Sequence, residues 1–452
     1  MDKTIIKAVD AHADELIDLA TKIWANPEMG WTEVKAVEWT AEVLKNNGFD
    51  VEVGAYGMPT AIRAVWGKGK PVVGFAGEYD CLPGLSQDVC SYQKPIVEGG
   101  IGHGCGHNLL GAGCVGACIG LKAALEEAGA EGTVIYYGCP AEEQLTGKGF
   151  MAKAGAFTEC DFTYAWHPNN SNHSTMGIYT ALEGGIFEFQ GRTAHAAANP
   201  HLGRSALDAA QIMNIGVEFL REHVTDDIRM HYYYMDGGLA PNIVPEHAAV
   251  KYFVRALSRK ATVDAFQRVM KCAEGAAHMT DTTLKFTSLG GIYPTMQNSV
   301  LGQAVQDARA LVPLEDFTDE EKKFADEINQ KFPQYKAGET LPLDYEDETL
   351  LNYNVFGSTD YADVEHICPG FMVLECTESS LAPGHSWAVT AAVGSSIGMK
   401  GMIRVAKLMG IAAFDIMTHP DKLEAAKAEF AKSMGGEVYE CPISEGVEWP
   451  YK

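Results

Sequence analysis

The heptapeptide GHGCGHN, residues 102–108, sets Cys105 and His107 two residues apart on a backbone bare of apolar side chains. In a looped segment, donors at i and i+2 can converge on one cation, and flanking glycines let the chain bend tightly enough to do so. A thiolate, imidazoles and a carboxylate make a good shell for zinc or a similar divalent ion. Glu143 in PAEE, His167 in WHP and His385 in APGHSW would complete it. Five donors are too many for one tetrahedral ion that also holds water, and they suit two ions sharing ligands. Each donor alone has a plainer reading. A Cys-x-His pair arises readily without a metal, PAEE could be a solvated acidic turn, and a histidine at a strand end is usually just hydrogen-bonded. A second chemistry also stays open, with Cys105 as nucleophile and His107 as base. Two residues apart on one strand, however, they share a face and rarely reach hydrogen-bond geometry.

The surrounding pattern says what must position these groups. TAIRAVWG, PVVGFAGEYD, GTVIYYGCPAEE and DFTYAWHP read as strands, and the candidate donors fall at their carboxyl ends. That is where open α/β sheets build sites. HADELIDLATKIWANP and TEVKAVEWTAEVLKNNG have helical spacing, and LLGAGCVGACIGLKAALEEAG reads as a helix packed closely through small residues. Alternating strands and helices predict an α/β fold with a mostly parallel, mixed sheet flanked by helices. Near residue 182 the order becomes strand, helix, strand, strand, helix, strand, the plan of a small ferredoxin-like α+β unit. After residue 294 the first pattern resumes with GFMVLECTES and the long helix SSIGMKGMIRVAKLMGIAAFDIM. The expected division is 1–181 and 295–452 for one interrupted α/β domain, with 182–294 inserted as the smaller one. Residues 315–348 are polar and acidic and read as a surface excursion.

A chain of 452 residues exceeds one ordinary core, which favours two domains. Its net charge of −25 argues against a nucleic-acid partner, since phosphate binding needs a basic surface. No segment reads as a membrane span or a signal peptide. The 11 cysteines are scattered and odd in number, and Cys114, Cys118 and Cys272 lie in apolar runs, as buried thiols do. A reducing cytoplasm is the expected compartment.

CGHN, CPAEE, WHP, GRTAHAA, GGLAPNIVP and GHSW occur in that order. Together they resemble the aminoacylase/carboxypeptidase family of dinuclear metallopeptidases, in its amidohydrolase branch. In that family the catalytic domain is interrupted by a peptidase-dimer, or lid, domain. The similarity covers nearly the whole chain apart from 315–348. It implies that Cys105, His107, Glu143, His167 and His385 hold two divalent ions, Mn²⁺ or Zn²⁺. Glu142 would be general base and then general acid. His195 would reach across a homodimer, formed through the lid, to polarise the scissile carbonyl. Asn242 and Arg255 would grip substrate, and Asp80 would support the ligands. The implied substrate is a small N-acyl or N-aroyl amino acid such as p-aminobenzoyl-glutamate. Two alternatives accompany this reading: a non-autonomous subunit working with a homologous partner, and a peptidase acting on dipeptides. The chain departs from the family at Asn108, where many members of the branch carry aspartate, and at Glu78, where zinc members carry a histidine.

Amide hydrolysis fits this set. Water must be activated near neutral pH, the carbonyl oxygen needs positive charge, and the leaving amine needs a proton. Glu142 and Glu143 are adjacent and would point apart on a regular strand. At a turn just past one they can diverge less, one to the metal and one to its water.

Overall fold

The computed structural model describes residues 1–443 other than 315 and 345–349, together with 445, 447 and 449. The described residues contain ten strands: β1 (Asp50–Val53), β2 (Ile62–Lys68), β3 (Val72–Glu78), β4 (Gly132–Cys139), β5 (Phe162–Asn169), β6 (Ala181–Gln190), β7 (Arg229–Asp236), β8 (His247–Ala256), β9 (Thr283–Ile292) and β10 (Gly370–Cys376). They form two sheets, ordered β1-β2-β4-β3-β5-β10 and β7-β8-β6-β9.

In the first sheet β4, β3, β5 and β10 run parallel, and β1 and β2 are added antiparallel at one edge. β3 and β10 are buried along their whole length. This is why VVGFAGE and GFMVLEC are continuous apolar runs rather than alternating ones: helices cover both faces. Successive residues of β4 enter different cores. Val134 and Tyr136 join one, with the helices His107–Ala128 and Ser396–Thr418, while Ile135 and Tyr137 join the other, with Phe157 and Tyr361.

The helix His107–Ala128 decides where the site can form. It begins after Gly106, which is left-handed at φ 77°, so the chain turns sharply from the GHGC loop into its first turn. Small residues then let it lie almost on the sheet. A Cβ on Gly111 would come 2.7 Å from the Glu78 carbonyl, and one on Gly113 2.7 Å from the Trp166 indole nitrogen. That nitrogen donates to the Leu110 carbonyl at 2.9 Å. The helix start is thereby fixed against the ends of β3 and β5. This helix does have the length and apolar composition of a membrane span, contrary to the sequence expectation, but 89% of its most apolar window is buried inside the protein.

The second sheet is antiparallel. Its helices, Ala206–Leu220 and Arg259–Thr280, cover one face and build a separate core with Phe187, Val250 and Tyr252. The opposite face of β8 carries Lys251, Phe253 and Arg255, all half-buried.

The acidic stretch 315–348 is not merely a surface excursion, although residues 315 and 345–348 lie outside the described ones. Thr318 caps a helix, Asp319–Asn329, in a reciprocal box with Glu321, and Phe317, Ala325, Ile328 and Leu343 are buried. Glu321 also accepts from Ser396 at 2.6 Å and from Lys400 at 2.8 Å, which ties the segment to the helix Ser396–Thr418. The Thr-x-x-Glu spacing was the readable signal beneath the acidic composition.

The close approach at Gly113 makes a prediction. Gly113→Val should overpack the helix against Trp166 and cost about 1–3 kcal/mol, seen as a lower thermal midpoint. An unchanged midpoint would mean that the helix does not sit this near the sheet.

Candidate metal centre

The candidate ligands gather at the carboxyl ends of β3, β4 and β5. Glu78 ends β3, and Asp80 follows two residues later. Past β4, Glu142–Gln144 form a single tight turn, entered through Ala141 at φ 54° and left through Leu145 at φ 57°. Both are left-handed, a conformation that side-chain-bearing residues ordinarily avoid. The turn is held in place by hydrogen bonds from outside it. Ala141 N–H donates to Glu33 Oε1 at 2.8 Å, and Glu143 N–H donates to Asp80 Oδ2 at 2.9 Å. Adjacent glutamates can therefore serve one site. His385 is a third left-handed residue, at φ 57°, and its N–H donates to the Gly104 carbonyl at 3.1 Å, which anchors its loop beside Cys105.

Two triads result. Cys105, His107 and His167 bring one ligand atom each within 4.8 Å of one another, and so do Cys105, Glu143 and His385. Cys105 belongs to both. Its sulfur lies 3.3 Å from His167 Nε2, and Glu143 Oε2 lies 3.7 Å from His385 Nε2. A third group, Glu78, His107 and Glu142, meets the same limit. His107 Nε2 comes 3.3 Å from Glu78 Oε2 and 3.9 Å from Glu142 Oε2. Its other nitrogen, Nδ1, is 2.9 Å from Asp80 Oδ1, the carboxylate–imidazole arrangement that orients a metal-binding histidine.

The electrostatics show what this cluster lacks. Burial pushes Glu142 well up, helped by Glu78 and Asp360, and pushes Glu143 up to about 7. Burial also raises the Cys105 thiol, with Glu143 adding to it. His167 is held down to about 4 by burial and by His107, so it is a neutral imidazole with a free lone pair. For His107 burial acts downward, but Cys105 and Asp80 outweigh it and hold the ring well above its ordinary value. Glu78 Oε2, His107 Nε2 and Glu143 Oε1 are buried without a hydrogen-bond partner. A crowd of acids, a thiol and an uncommitted imidazole in one buried place is a poor arrangement unless cations share it. The residues present fit a pair of divalent ions.

One buried cation is already supplied by the chain. Lys148 Nζ lies 2.5 Å from Glu78 Oε1 and 2.5 Å from Asp360 Oδ1, and its N–H donates to Asp360 Oδ2 at 2.8 Å. Glu78 is thus held from behind by an ion pair. Lys148, Asp360 and Glu33 escaped the sequence reading because nothing in TGKGF, GSTD or WTEV marks them as buried charges.

The structure brings Cys105, His107, Glu143, His167, His385, Glu142 and Asp80 together. Arg255 is elsewhere, in the wall of a cleft of about 1610 Å³ that opens over the cluster, where Nη1 donates to Ser358 Oγ at 2.8 Å. His195 and Asn242 are not brought to the cluster of their own chain. They lie side by side on exposed loops of the second unit, where Ala196 N–H donates to the Asn242 carbonyl at 3.0 Å. His195 Nδ1 accepts from the N–H groups of Ala197 and Ala198 at 3.2 and 3.1 Å.

Comparison with known proteins gives concordant matches. Residues 74–342 match Peptidase family M20/M25/M40. One of the two kinds of subunit of the p-aminobenzoyl-glutamate hydrolase of Escherichia coli K12 is 34% identical, covering 97% of both chains. The Xaa-Arg dipeptidase of Mus musculus is 29% identical over 93% of this chain and 90% of its own length. Among solved structures, a Bacillus subtilis protein described as a dinuclear metal binding peptidase of the M20 family superposes with a TM-score of 0.59. It covers 90% of this chain and 99% of its own at 16% identity, a likeness of fold.

The hydrogen bond from Asp80 to His107 carries a prediction. Asp80→Asn should weaken divalent-metal affinity about 10- to 100-fold, measured by equilibrium dialysis. Wild-type affinity in that variant would exclude Asp80 as the group that orients His107.

Proposed function

The chain belongs to Peptidase family M20/M25/M40 and is a metal-dependent amidohydrolase, and we propose that it cleaves N-acyl and N-aroyl amino acids, p-aminobenzoyl-glutamate in particular. The observation that carries this reading is the placing of Glu142 beside two donor triads that share Cys105. In it, Cys105, His107, Glu143, His167 and His385 hold two divalent ions, Mn²⁺ or Zn²⁺. When bound, such a pair supplies Lewis-acid activation of the attacking water and of the scissile carbonyl.

The chain's own groups do the rest. Glu142 takes the proton from the attacking water and passes it to the departing nitrogen. Asp80 fixes the tautomer of His107. Arg255 has guanidinium donors facing the cleft and takes the free carboxylate of the amino-acid part. His195 is exposed on its own protomer and serves the cleft of a second copy, where it donates to the oxyanion as the carbonyl becomes tetrahedral. A donor in that position contributes about 3–4 kcal/mol in comparable sites. Asn242, next to it, grips the same substrate. This assembly is a homodimer through the unit spanning 182–294, with 1–181 and 295–452 as the catalytic domain, and it works in the cytoplasm.

A second assembly has support from the Escherichia coli relative, which by its name is one subunit of its hydrolase. In that reading a homologous partner takes the place of the second copy. A dipeptide substrate would fit the same chemistry, as the dipeptidase relative's name suggests.

Chelation should abolish hydrolysis of p-aminobenzoyl-glutamate by the purified chain, and Mn²⁺ or Zn²⁺ should restore it. Glu142→Gln should retain its metal and lose about 10²- to 10⁴-fold in turnover. A near-normal rate in that variant would reject the role given to Glu142. Activity that arises only when a second gene product is added would select the heteromer.

A further inference from the structure

The wall of the cleft that faces the acidic cluster is basic, although the chain as a whole carries a net charge of −25. Alternate residues of a strand share a face. On β8 that rule sets Lys251, Phe253 and Arg255 in a row. The register of β7 places Arg229 directly opposite Arg255, His231 opposite Phe253 and Tyr233 opposite Lys251. Arg229, His231, Lys251, Phe253 and Arg255 all line the cleft. Gly184 lies beside Phe253 on β6, and a Cβ there would come 2.8 Å from the Phe253 ring, so its absence lets the ring lie down on the sheet. Lys251 Nζ sits 5.1 Å and Arg255 Cζ 6.0 Å from the centre of that ring. The Arg229 guanidinium lies 4.7 Å from the centre of the Phe356 ring.

These cations lack anions. Among the described residues no carboxylate lies within ion-pair distance of Arg229, His231, Lys251 or Arg255, while Lys285 and His247 at the far end of the same sheet share Glu188. Like charges directly opposite each other across two strands are unfavourable, and Arg229 and Arg255 are such a pair. Burial lowers both Lys251 and Arg255, and no neighbouring acid offsets it. A half-buried row of unpaired cations over a catalytic cleft is arranged for anionic groups on the substrate. Arg255 provides for one carboxylate, and Arg229 and Lys251 remain.

We propose that Arg229 and Lys251 bind a second carboxylate, on the side chain of the amino-acid part of the substrate. The enzyme thereby selects conjugates of dicarboxylic amino acids over those of neutral or basic ones. This rests on the amide-hydrolase reading above and adds the side chain that the leaving amino acid carries. An arginine side chain in the same place would meet only like charge.

The test compares p-aminobenzoyl-glutamate with p-aminobenzoyl-glutamine, which match in shape and differ in one charge. In the metal-loaded wild type, kcat/KM should favour the glutamate conjugate by about 10- to 100-fold, the worth of a charge-assisted hydrogen bond. Lys251→Gln and Arg229→Gln should each remove most of that preference through KM and leave the glutamine conjugate unaffected. A preference preserved in both variants, or a wild type that favours the glutamine conjugate, overturns the proposal. If neither conjugate is hydrolysed, the amide-hydrolase reading falls. Calorimetric binding of free glutamate and glutamine to the same metal-loaded proteins then decides the subsite. A glutamate preference that is lost in the variants supports it, and equal binding of the two in the wild type overturns it.

Discussion

Crowded negative charge is the constraint on which the rest of this molecule depends. Glu78, Asp80, Glu142, Glu143 and Cys105 converge at the ends of three parallel strands, out of contact with bulk water. Left to themselves they would repel one another or take up protons. The fold prevents their retreat. Left-handed residues at 141 and 145 hold the Glu142–Glu143 turn in a shape it would otherwise leave, and Glu33 and Asp80 hold it by its backbone. Lys148, paired with Asp360, neutralises Glu78 from behind. Breaking a buried ion pair of this kind leaves an uncompensated charge and is strongly destabilising. The repulsion is thus stored in the framework, and divalent ions relieve it.

What the sequence made legible follows from this. Cys105, His107, Glu143, His167 and His385 could be picked out because metal ligands come from few residue types and sit where strands end. Glu142 and Asp80 came from family resemblance and proved to be neighbours of those donors. Lys148, Asp360 and Glu33 were not legible, since a buried charge is recognised by its partner and the partner is remote in sequence: Lys148 meets Asp360 across 212 positions. The helix at Asp319–Asn329 was hidden by its charge, because its apolar residues Phe317, Ala325 and Ile328 are few among acids. His195 and Asn242 are a different case. One chain sets them on exposed loops, and their meaning depends on a second protomer that a single sequence does not contain.

The cleft has opposite electrical characters on its two sides. The first sheet offers acids and a thiol, which suit cations and the reacting bond, and the second offers cations on a nearly flat apolar floor. A substrate with anionic groups at one end is oriented before it touches the reacting centre, since its charged end is attracted to one wall and repelled by the other. Orientation of this kind acts over several ångströms and reduces the number of unproductive poses.

The pairing of β5 with β10 has a consequence for biosynthesis. β5 ends at Asn169 and its partner begins at Gly370, so about half the chain is made between them. Until then β5 is an open edge, and open edges invite pairing with other chains. His385 emerges later still, so the ribosome has almost finished before the second triad can exist. Ion capture is therefore among the last events in maturation, and the nascent catalytic half spends most of translation with an unprotected strand.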